Sequence, residues 1–336
     1  MRPLASSDIP QLFDLWQRRW GQLFPLDQAL WNQQTSGDPQ HYRPDLSCVL
    51  HEAGPVGFIG VKTPPPIPAW PKQDPQNAWI SYLLLEPGRE ELGKKLLEHS
   101  LNQLEQLGYH KVAYGSDPWH FFPGLPLEDS PLERVLLEAG FEAGGVAQDF
   151  HRILGNYQVP AKAIADLEKS GFQIAPCGLE DIPRLLSFLA ETFPGRWYYE
   201  TVRRLQSELE PSNLLLLKSQ QEVLGFCHLY PKHSRRIGPG LYWLRAFSPN
   251  PGGLGPIGVS EKVRGTGLGM ALLGYGVERL KNLGAEEIVI DWTTLADFYG
   301  KLSFGAWRSY KAYWKLLGLR KAQSEKPWAE SSPQTI

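Results

Sequence analysis

The second half of the 336-residue chain carries two kinds of apolar periodicity, one typical of strands and one typical of helices. Short alternating or continuous apolar runs predict strands at 172–175, 214–217, 223–230, 257–259 and 288–290. Apolar positions at helical spacing predict helices at 179–193 and 269–283. Gly284 ends the second helix, and Thr294 with Asp297 forms a capping pair that opens a further helix. The Pro- and Gly-rich segment 231–255 predicts a long loop with a short strand at 241–247 inside it.

The first half repeats this order of elements. The pattern predicts a strand, a helix, a second strand and a second helix, at 79–85, 91–107, 111–114 and 132–139. Gly108 follows the first of these helices as Gly284 follows its counterpart, and Gly140 follows the last one. We interpret the chain as a duplicated α/β unit, in which helices flank a mixed sheet in each half.

A break in the pattern separates the two halves. Gly155, Asn156 and Pro160 interrupt the periodicity, and a short polar helix pattern follows at 163–171. The chain beyond Trp314 has little periodic apolar content, which is typical of a tail. The predicted organisation is a first domain at 1–155, a linker with a short helix at 156–171, a second domain at 172–318 and a disordered tail at 319–336.

The composition agrees with two ordinary globular cores. A chain of 336 residues usually divides into two domains, and its 42% apolar and 12% aromatic residues suffice for their cores. The charged fraction of 21% and the net charge of −2 argue against a nucleic-acid or membrane partner. Three separated cysteines, Cys48, Cys177 and Cys227, predict neither disulfides nor a metal site. We see neither a signal peptide nor a membrane span in the sequence, and we expect a cytoplasmic location.

The segment from Arg264 to Gly269 combines a glycine-rich turn with the start of a helix. Gly265, Gly267 and Gly269 remove side chains where the first unpaired amides of that helix converge, and the helix dipole favours an anion there. Arg264 can donate forked hydrogen bonds to phosphate oxygens, and the Thr266 hydroxyl can add another. The pattern predicts a pyrophosphate site, and a flexible surface turn is the alternative interpretation.

The spacing of the glycines distinguishes between phosphate ligands. The lysine of a Walker sequence is missing, since Met270 and Ala271 follow the last glycine. Gly-x-Gly-x-Gly after an arginine also differs from the longer dinucleotide fingerprint. However, Asp291 lies 22 residues after Gly269, close to the place of the ribose-binding acid in dinucleotide folds. A nicotinamide or flavin oxidoreductase therefore remains an alternative.

These residues resemble the signature of the GNAT superfamily of N-acetyltransferases, which is an Arg or Gln followed by Gly-x-Gly-x-Gly/Ala. In that family the turn binds the pyrophosphate of acetyl-CoA. The preceding strand holds the pantetheine arm through its backbone, and a bulge splays it from the next strand. The resemblance implies acetyl-CoA as the acyl donor and no metal. The implied cofactor-binding residues are Ile257, Gly258, Val259, Arg264, Gly265, Thr266, Gly267, Leu268, Gly269 and Met270.

A second element of the family follows at the expected distance. The segment from Asp297 to Phe304 resembles the family's Phe-Tyr-x-Lys-Leu-Gly-Phe helix, with Ser303 in place of the usual glycine. The resemblance implies that Tyr299 is the general acid that protonates the departing CoA thiolate. A half-buried packing role is the alternative for this aromatic ring.

The resemblance also suggests the remaining site residues. Asp291 ends the buried strand beside the expected splay and is the candidate general base, with His228 as the second choice. The backbone amide of Val259 is expected to bond the thioester oxygen. Arg196 and Trp197 are expected to line the acceptor pocket, and core packing is the alternative for Trp197.

The resemblance extends over most of the second half and implies a tandem two-domain bacterial type. Each domain would be GNAT-like, with a twisted, mostly antiparallel sheet flanked by helices. The equivalent turn in the first half, Leu85 to Gly93, is shorter and holds adjacent carboxylates that would repel a phosphate. We therefore predict a degenerate first domain that serves as a scaffold or as a wall of the acceptor site.

The predicted function is transfer of an acetyl group from acetyl-CoA to a primary amine of a small molecule. An amino sugar is the suggested acceptor, and the protein is expected to be a monomer or a homodimer. A non-catalytic acyl-CoA-binding sensor is a further alternative, because one half has lost its cofactor turn.

Overall fold

Two units divide the chain in the computed structural model, which describes residues 1–66, 68–118, 121–208 and 210–318. The first unit contains residues 1–69 and 73–147 together with 309–318. The second unit contains Trp70–Lys72 and Gln148–Arg308. Each unit is thus assembled from more than one stretch of sequence. The predicted tail at 319–336 lies outside the described residues.

Helices and strands follow one another along both halves of the chain. The helices are α1 (Ile9–Trp20), α2 (Gln28–Gln34), α3 (Glu91–Gln106), α4 (Ser130–Glu138), α5 (Ala161–Ser170), α6 (Ile182–Thr192), α7 (Arg196–Glu208), α8 (Leu268–Asn282) and α9 (Ala296–Gly300). The strands are β1 (Arg2–Pro3), β2 (Cys48–His51), β3 (Pro55–Lys62), β4 (Asn77–Leu85), β5 (Lys111–Tyr114), β6 (Leu125–Pro126), β7 (Glu142–Ile153), β8 (Gln173–Pro176), β9 (Leu214–Lys218), β10 (Val223–Tyr230), β11 (Pro251–Val259), β12 (Glu287–Thr293) and β13 (Gly305–Leu316). The bounds of β5 and β10 are those predicted from the sequence.

The first unit is a mostly antiparallel sheet on which α1 and α3 pack. Its strands follow the order β1-β2-β3-β4-β5, and residues 309–316 of β13 extend the sheet beside β5. β4 and β5 run parallel, from Asn77 opposite Lys111 to Ile80 opposite Tyr114.

The second unit has the same kind of sheet. Its strands follow the order β8-β9-β10-β11-β12, and residues 148–153 of β7 extend it beside β12. β11 and β12 run parallel, from Pro251 opposite Glu287 to Gly253 opposite Val289. Two separate apolar clusters cover the sheet, one with α5, α8 and α9 and the other with α6 and α7. The predicted fold class, a mixed and mostly antiparallel sheet flanked by helices, is confirmed.

The two units repeat the same local structures at equivalent positions. Asp8 before α1 and Asp181 before α6 each accept a hydrogen bond of 2.9 Å from the amide three residues earlier. Ser116, two residues after the end of β5, and Trp292, inside β12 where its pairing with β7 shifts register, adopt left-handed backbone conformations, with φ of 49° and 44°. These features agree with the interpretation of the chain as a duplicated unit.

Two strands cross the predicted domain boundaries. The predicted first domain, 1–155, includes residues 148–153, which pair with β12 of the second unit. The predicted second domain, 172–318, includes residues 309–318 of the first unit, of which residues 313–316 pair with β5. The limits of the compact units therefore differ from the predicted ones. Periodicity and turn signals report local structure, and they do not report which sheet a strand joins.

Further differences lie where the sequence is irregular. The segment 241–247 is not a strand, and single 3-10 turns lie at Pro239–Leu241 and Leu244–Ala246. β11 begins well before position 257, because pairing with β10 and β12 holds a Gly- and Pro-rich segment extended. The predicted capping pair of Thr294 and Asp297 is wrong, since α9 follows Leu295, whose apolar side chain cannot cap.

The cysteines agree with their expected lack of pairing. Cys48, Cys177 and Cys227 are all free and buried. Within the described ranges, no group of three or more His, Cys, Asp or Glu side chains is placed to hold a metal ion. In the same ranges no helix is long and apolar enough to cross a membrane.

Candidate active site

The glycine-rich turn links the end of β11 to the start of α8. A 3-10 turn at Glu261–Val263 leads into Arg264, and Gly265 and Gly267 then adopt φ angles of 75° and 89°. These left-handed conformations suit residues without a Cβ atom. Gly267 is the N-cap of α8 and supplies no side-chain acceptor, so the first amides of the helix are left to a ligand or to water.

Arg264 gives this turn its cationic side chain. Its Nη1 atom lies 3.0 Å from Oε1 of Glu261, whose side chain is mostly exposed. Its Nε atom is buried and has no hydrogen-bond partner among the described residues. A buried donor without an acceptor is costly, and a phosphate oxygen would supply the missing acceptor. The turn therefore fits the pyrophosphate that the sequence predicts.

Thr266 has a different role from the one expected for its hydroxyl. The hydroxyl donates to the carbonyl oxygen of Val263 at 2.7 Å. It thus closes the turn from inside, and its proton is not available to a phosphate. The backbone amide of Thr266 remains the group that could contact an anion.

β11 and β12 diverge at the centre of the second unit. Their ladder stops at Gly253 opposite Val289, although both strands continue. A bulge places Gly255 and Pro256 of β11 opposite the single residue His228 of β10. Bulges bend the strand that carries them, so this one accounts for the gap that opens between the two parallel strands. We call this gap the splay.

The backbone of β11 faces the splay at alternate residues. The amide of Ser260 donates to Leu224 of β10 at 2.7 Å, and Val259 is opposite Gly225. Hydrogen-bonded and non-hydrogen-bonded pairs alternate in antiparallel ladders, so the amides of Val259 and Ile257 point away from β10 and toward the splay. These two amides can hold an extended ligand arm.

Gly258 packs against Trp197 on one face of the sheet and not toward the splay. A Cβ atom at Gly258 would lie 2.7 Å from Cζ3 of Trp197 and 2.8 Å from Cζ of Phe193. Trp197 is 7% exposed and packs on Phe193 and Phe226 at centroid distances of 4.7 and 5.6 Å. These contacts favour the core-packing interpretation of Trp197, and they assign Gly258 to close helix–strand packing.

Tyr299 and Asp291 lie at the other side of the splay. Tyr299 is 4% exposed, and its ring is 5.9 Å from that of Phe150. Burial raises the pKa of the Tyr299 hydroxyl, Cys227 and Asp291 raise it further, and a hydrogen bond with Thr293 opposes them. The phenol therefore keeps its proton at neutral pH.

Asp291 lies beside the bulge. Its Oδ1 atom lies 3.9 Å from the place that a Cβ atom would take at Gly255. The carboxylate thus faces β11 where the two strands part. Because Asp291 also contributes to the pKa of Tyr299, the two candidate catalytic groups lie within electrostatic range of each other.

Arg196 stacks on Trp292. The guanidinium carbon of Arg196 is 3.8 Å from the centroid of the Trp292 ring, and its Nε atom is 3.6 Å from Oε1 of Glu200. Trp292 directly follows Asp291, and its amide donates to Oδ1 of Asp149 at 2.9 Å. The sequence reasoning missed Trp292 and Glu200. The spacing of Arg196 and Glu200, one helical turn apart, was the available signal for the ion pair.

His228 is less well placed for proton transfer than Asp291. Its Nε2 atom is 2.9 Å from the hydroxyl of Thr201, and its Nδ1 atom is 3.3 Å from the hydroxyl of Tyr230. Burial, with a contribution from Arg204, holds the pKa of this imidazole well below its usual value. Both ring nitrogens are thus engaged inside the protein, and the ring stays neutral.

The splayed parallel strands and the glycine-rich turn together form one candidate site that fits an extended ligand with a phosphate group. Residues 182–304 match the family described as the acetyltransferase (GNAT) family. The matched segment contains Arg264, Asp291 and Tyr299. A search of curated proteins gave no match.

Solved structures share the fold over nearly the whole chain. A fungal multi-domain GH3 beta-N-acetylglucosaminidase, described as containing a GCN5-related glucosamine N-acetyltransferase region, gives a TM-score of 0.83 at 21% identity. That match covers 93% of this chain and 37% of the fungal chain, so this chain spans well under half of the fungal protein. At such identity the likeness shows the fold alone.

Two further structures cover both chains almost fully. A GCN5-related N-acetyltransferase from Sphaerobacter thermophilus gives a TM-score of 0.63 at 13% identity, covering 94% of each chain. A tandem GNAT protein from the clavulanic acid biosynthesis pathway gives 0.60 at 15% identity, covering 95% of this chain and 98% of the other. The fold of the units is therefore found in solved structures described as GNAT proteins.

Proposed function

We propose that the chain transfers an acetyl group from acetyl-CoA to the primary amine of a small molecule, by direct attack in a ternary complex. The observation that carries the proposal is the splay, which runs from the Arg264 turn to Tyr299 and Asp291. An amino sugar is the proposed acceptor class, and the description of the fungal structure supports it. We also keep the prediction of a cytoplasmic protein of the bacterial tandem type that acts as a monomer or homodimer.

The residues of β11 and the turn would hold the cofactor. The amides of Ile257 and Val259 face the splay, where they suit the amide groups of the pantetheine arm. The turn supplies the N-terminus of α8 and the buried Nε atom of Arg264 for the pyrophosphate. Acetyl-CoA would bring a thioester, whose oxygen the Val259 amide can polarise.

Two side chains then carry the protons. Asp291 takes the proton that the amine must lose as its nitrogen bonds to the carbonyl carbon. Tyr299 gives its proton to the sulfur as the carbon–sulfur bond breaks, which is consistent with its raised pKa. The products are the acetylated amine and CoA with a protonated thiol.

Arg196 is the proposed contact for the acceptor. Its guanidinium lies over Trp292, which directly follows Asp291 in the sequence, and its Nε atom lies beside Glu200. An arginine held in this way can pair with hydroxyl or anionic groups of a polar acceptor. Trp197 would contribute only by packing against β11. Arg196 and Trp292 are then the two residues proposed to contact the acceptor.

The first unit is proposed to bind no CoA. In its equivalent turn the guanidinium of Arg89 is already paired with Glu91 at 2.7 Å, and Glu86 is paired with Arg18 of α1 at 2.7 Å. α3 also begins only a few residues after β4, so no long turn separates strand from helix. We therefore expect calorimetry to show a single CoA site per chain.

The reaction is tested by mixing the purified chain with acetyl-CoA and glucosamine and measuring thiol release together with the N-acetylated product. Equal amounts of thiol and product are expected, and glucose, which lacks the amine, should release no thiol. CoA binding without turnover on any primary amine would favour the sensor alternative. A thermal shift with NAD or FAD but none with acetyl-CoA would favour an oxidoreductase.

The cofactor turn is tested by Arg264→Ala. Loss of a charge-assisted hydrogen bond to phosphate is expected to weaken CoA binding about ten- to a hundredfold in calorimetry. Lys262→Ala is the matched control, because Lys262 lies in the same turn but is largely exposed and paired with Glu222. A CoA affinity of Arg264→Ala within about twofold of the parent would remove Arg264 from the site.

A further inference from the structure

Helix α5 places a carboxylate against the glycine-rich turn, although α5 lies outside the segment that matches the family model. A Cβ atom at Gly267 would lie 2.1 Å from Oδ2 of Asp166 and 2.8 Å from its Cγ. With glycine at this position the carboxylate packs directly against the backbone of the turn. The negative group therefore lies beside the N-cap of α8, close to where the helix dipole would attract the anion of a ligand.

Lys162 forms a pair with Asp166 one helical turn earlier. Its Nζ atom lies 3.0 Å from Oδ1 and 2.8 Å from Oδ2 of Asp166. The lysine side chain is 83% exposed, whereas that of Asp166 is 17% exposed. The ammonium group is thus held next to the turn and remains open to solvent.

The apolar face of α5 fixes this arrangement. Ala163 is buried in the core cluster that contains α8, and Ile164 and Leu167 pack against the same cluster. α5 is therefore a packed part of the second unit. Lys162 and Asp166 can therefore move away from the turn only if their side chains change rotamer or if the helix shifts.

We propose that Lys162 and Asp166 control the access of CoA to the turn. In the free protein the Asp166 carboxylate lies beside the N-terminus of α8 and opposes the entry of an anion. The pyrophosphate displaces it, and Lys162 exchanges its carboxylate partner for a phosphate oxygen. This inference rests on the proposed function, since it assigns two positioning residues to the same cofactor site.

The test is calorimetric titration of Asp166→Asn with CoA and with pantetheine, which lacks the pyrophosphate. Removing the competing charge is expected to tighten CoA binding about three- to tenfold and to leave pantetheine binding unchanged. Glu168→Gln makes the same change of charge on an exposed position of α5 and should bind both compounds as the parent does. Lys162→Met is expected to weaken CoA binding about threefold or more, with Lys169→Met as its control.

The outcomes separate this inference from the proposed function. If the parent binds CoA and Asp166→Asn binds it with the same affinity, the control of access by Asp166 is overturned and the CoA site stands. If Asp166→Asn changes the affinities for CoA and pantetheine equally, Asp166 has only a structural role and the inference is again overturned. If the parent binds no CoA, both the proposed function and this inference fail.

Discussion

Replacing Tyr299 by phenylalanine is expected to lower kcat for acetyl transfer by about a hundredfold or more, with CoA affinity unchanged. The substitution removes one hydroxyl and leaves the ring, which packs 5.9 Å from Phe150 and 5.2 Å from Phe298. Only the proton donor for the departing sulfur is lost. The measurement is steady-state thiol release at saturating acetyl-CoA, with CoA affinity measured by calorimetry.

The pH dependence sharpens this expectation. Because burial and the neighbouring Cys227 and Asp291 raise the pKa of Tyr299, the phenol is the protonated form throughout the assay range. The parent rate should therefore not fall through ionisation of Tyr299 below about pH 9. The loss of rate in Tyr299→Phe should be similar at every pH in that range.

Tyr275→Phe is the matched control for this variant. Tyr275 lies on α8 and packs against the same apolar cluster as Tyr299, but it lies outside the splay. The same chemical change there should leave kcat within about twofold of the parent. A Tyr299→Phe protein that acetylates at the parent rate across the pH range, with CoA binding intact, would remove the general-acid assignment.

The parts of the site that sequence predicted are those encoded within a few consecutive residues. The Arg264 turn and the start of α8 follow from glycine spacing and helical periodicity, which are both local signals. β10 and β5 were also predicted with their observed bounds, because each is a short apolar run between turn residues. Local chemistry thus suffices to identify the turn and its helix.

The parts that sequence missed depend on pairs that are distant in the chain. Arg196 stacks on Trp292, and Asp166 lies on Gly267, but no periodicity connects these positions. The hydroxyl of Thr266 was assigned to a ligand because its alternative acceptor, the Val263 carbonyl, appears only when the turn is folded. Contacts of this kind need the tertiary fold and cannot be read from the spacing of residues.

The first unit shows why a duplicated fold need not keep two cofactor sites. Its parallel ladder extends to Ile80 opposite Tyr114, and the Gly115 amide adds a bond of 2.7 Å to Ile80, so β4 and β5 stay together longer than β11 and β12. Just beyond, Asp117 accepts from the Ser81 hydroxyl at 2.6 Å and from Lys62 at 3.1 Å. Buried polar side chains fill the place where the second unit has its splay.

Lys62→Met is expected to destabilise the first unit by about 3–5 kcal/mol. Lys62 is fully buried, and its Nζ atom donates to Oε1 of Gln34 at 2.9 Å and lies 3.7 Å from Oδ2 of Asp38. Among the described residues the Asp38 carboxylate accepts no hydrogen bond. Lys62 is the cation that offsets the negative charges of both Asp38 and Asp117. Removing the ammonium takes away the cation beside the buried Asp38 carboxylate, and the cost is that of a buried charge without its counter-ion.

Urea unfolding followed by tryptophan fluorescence measures this loss, as a lower midpoint of the transition that reports the first unit. Lys94→Met removes a lysine that is 54% exposed on α3 and should change the free energy of unfolding by less than about 0.5 kcal/mol. Adding Asp117→Asn to Lys62→Met should restore part of the stability, because it removes one of the two carboxylates that lie near Lys62. A loss below about 1 kcal/mol in Lys62→Met would show that the buried carboxylates do not depend on this lysine.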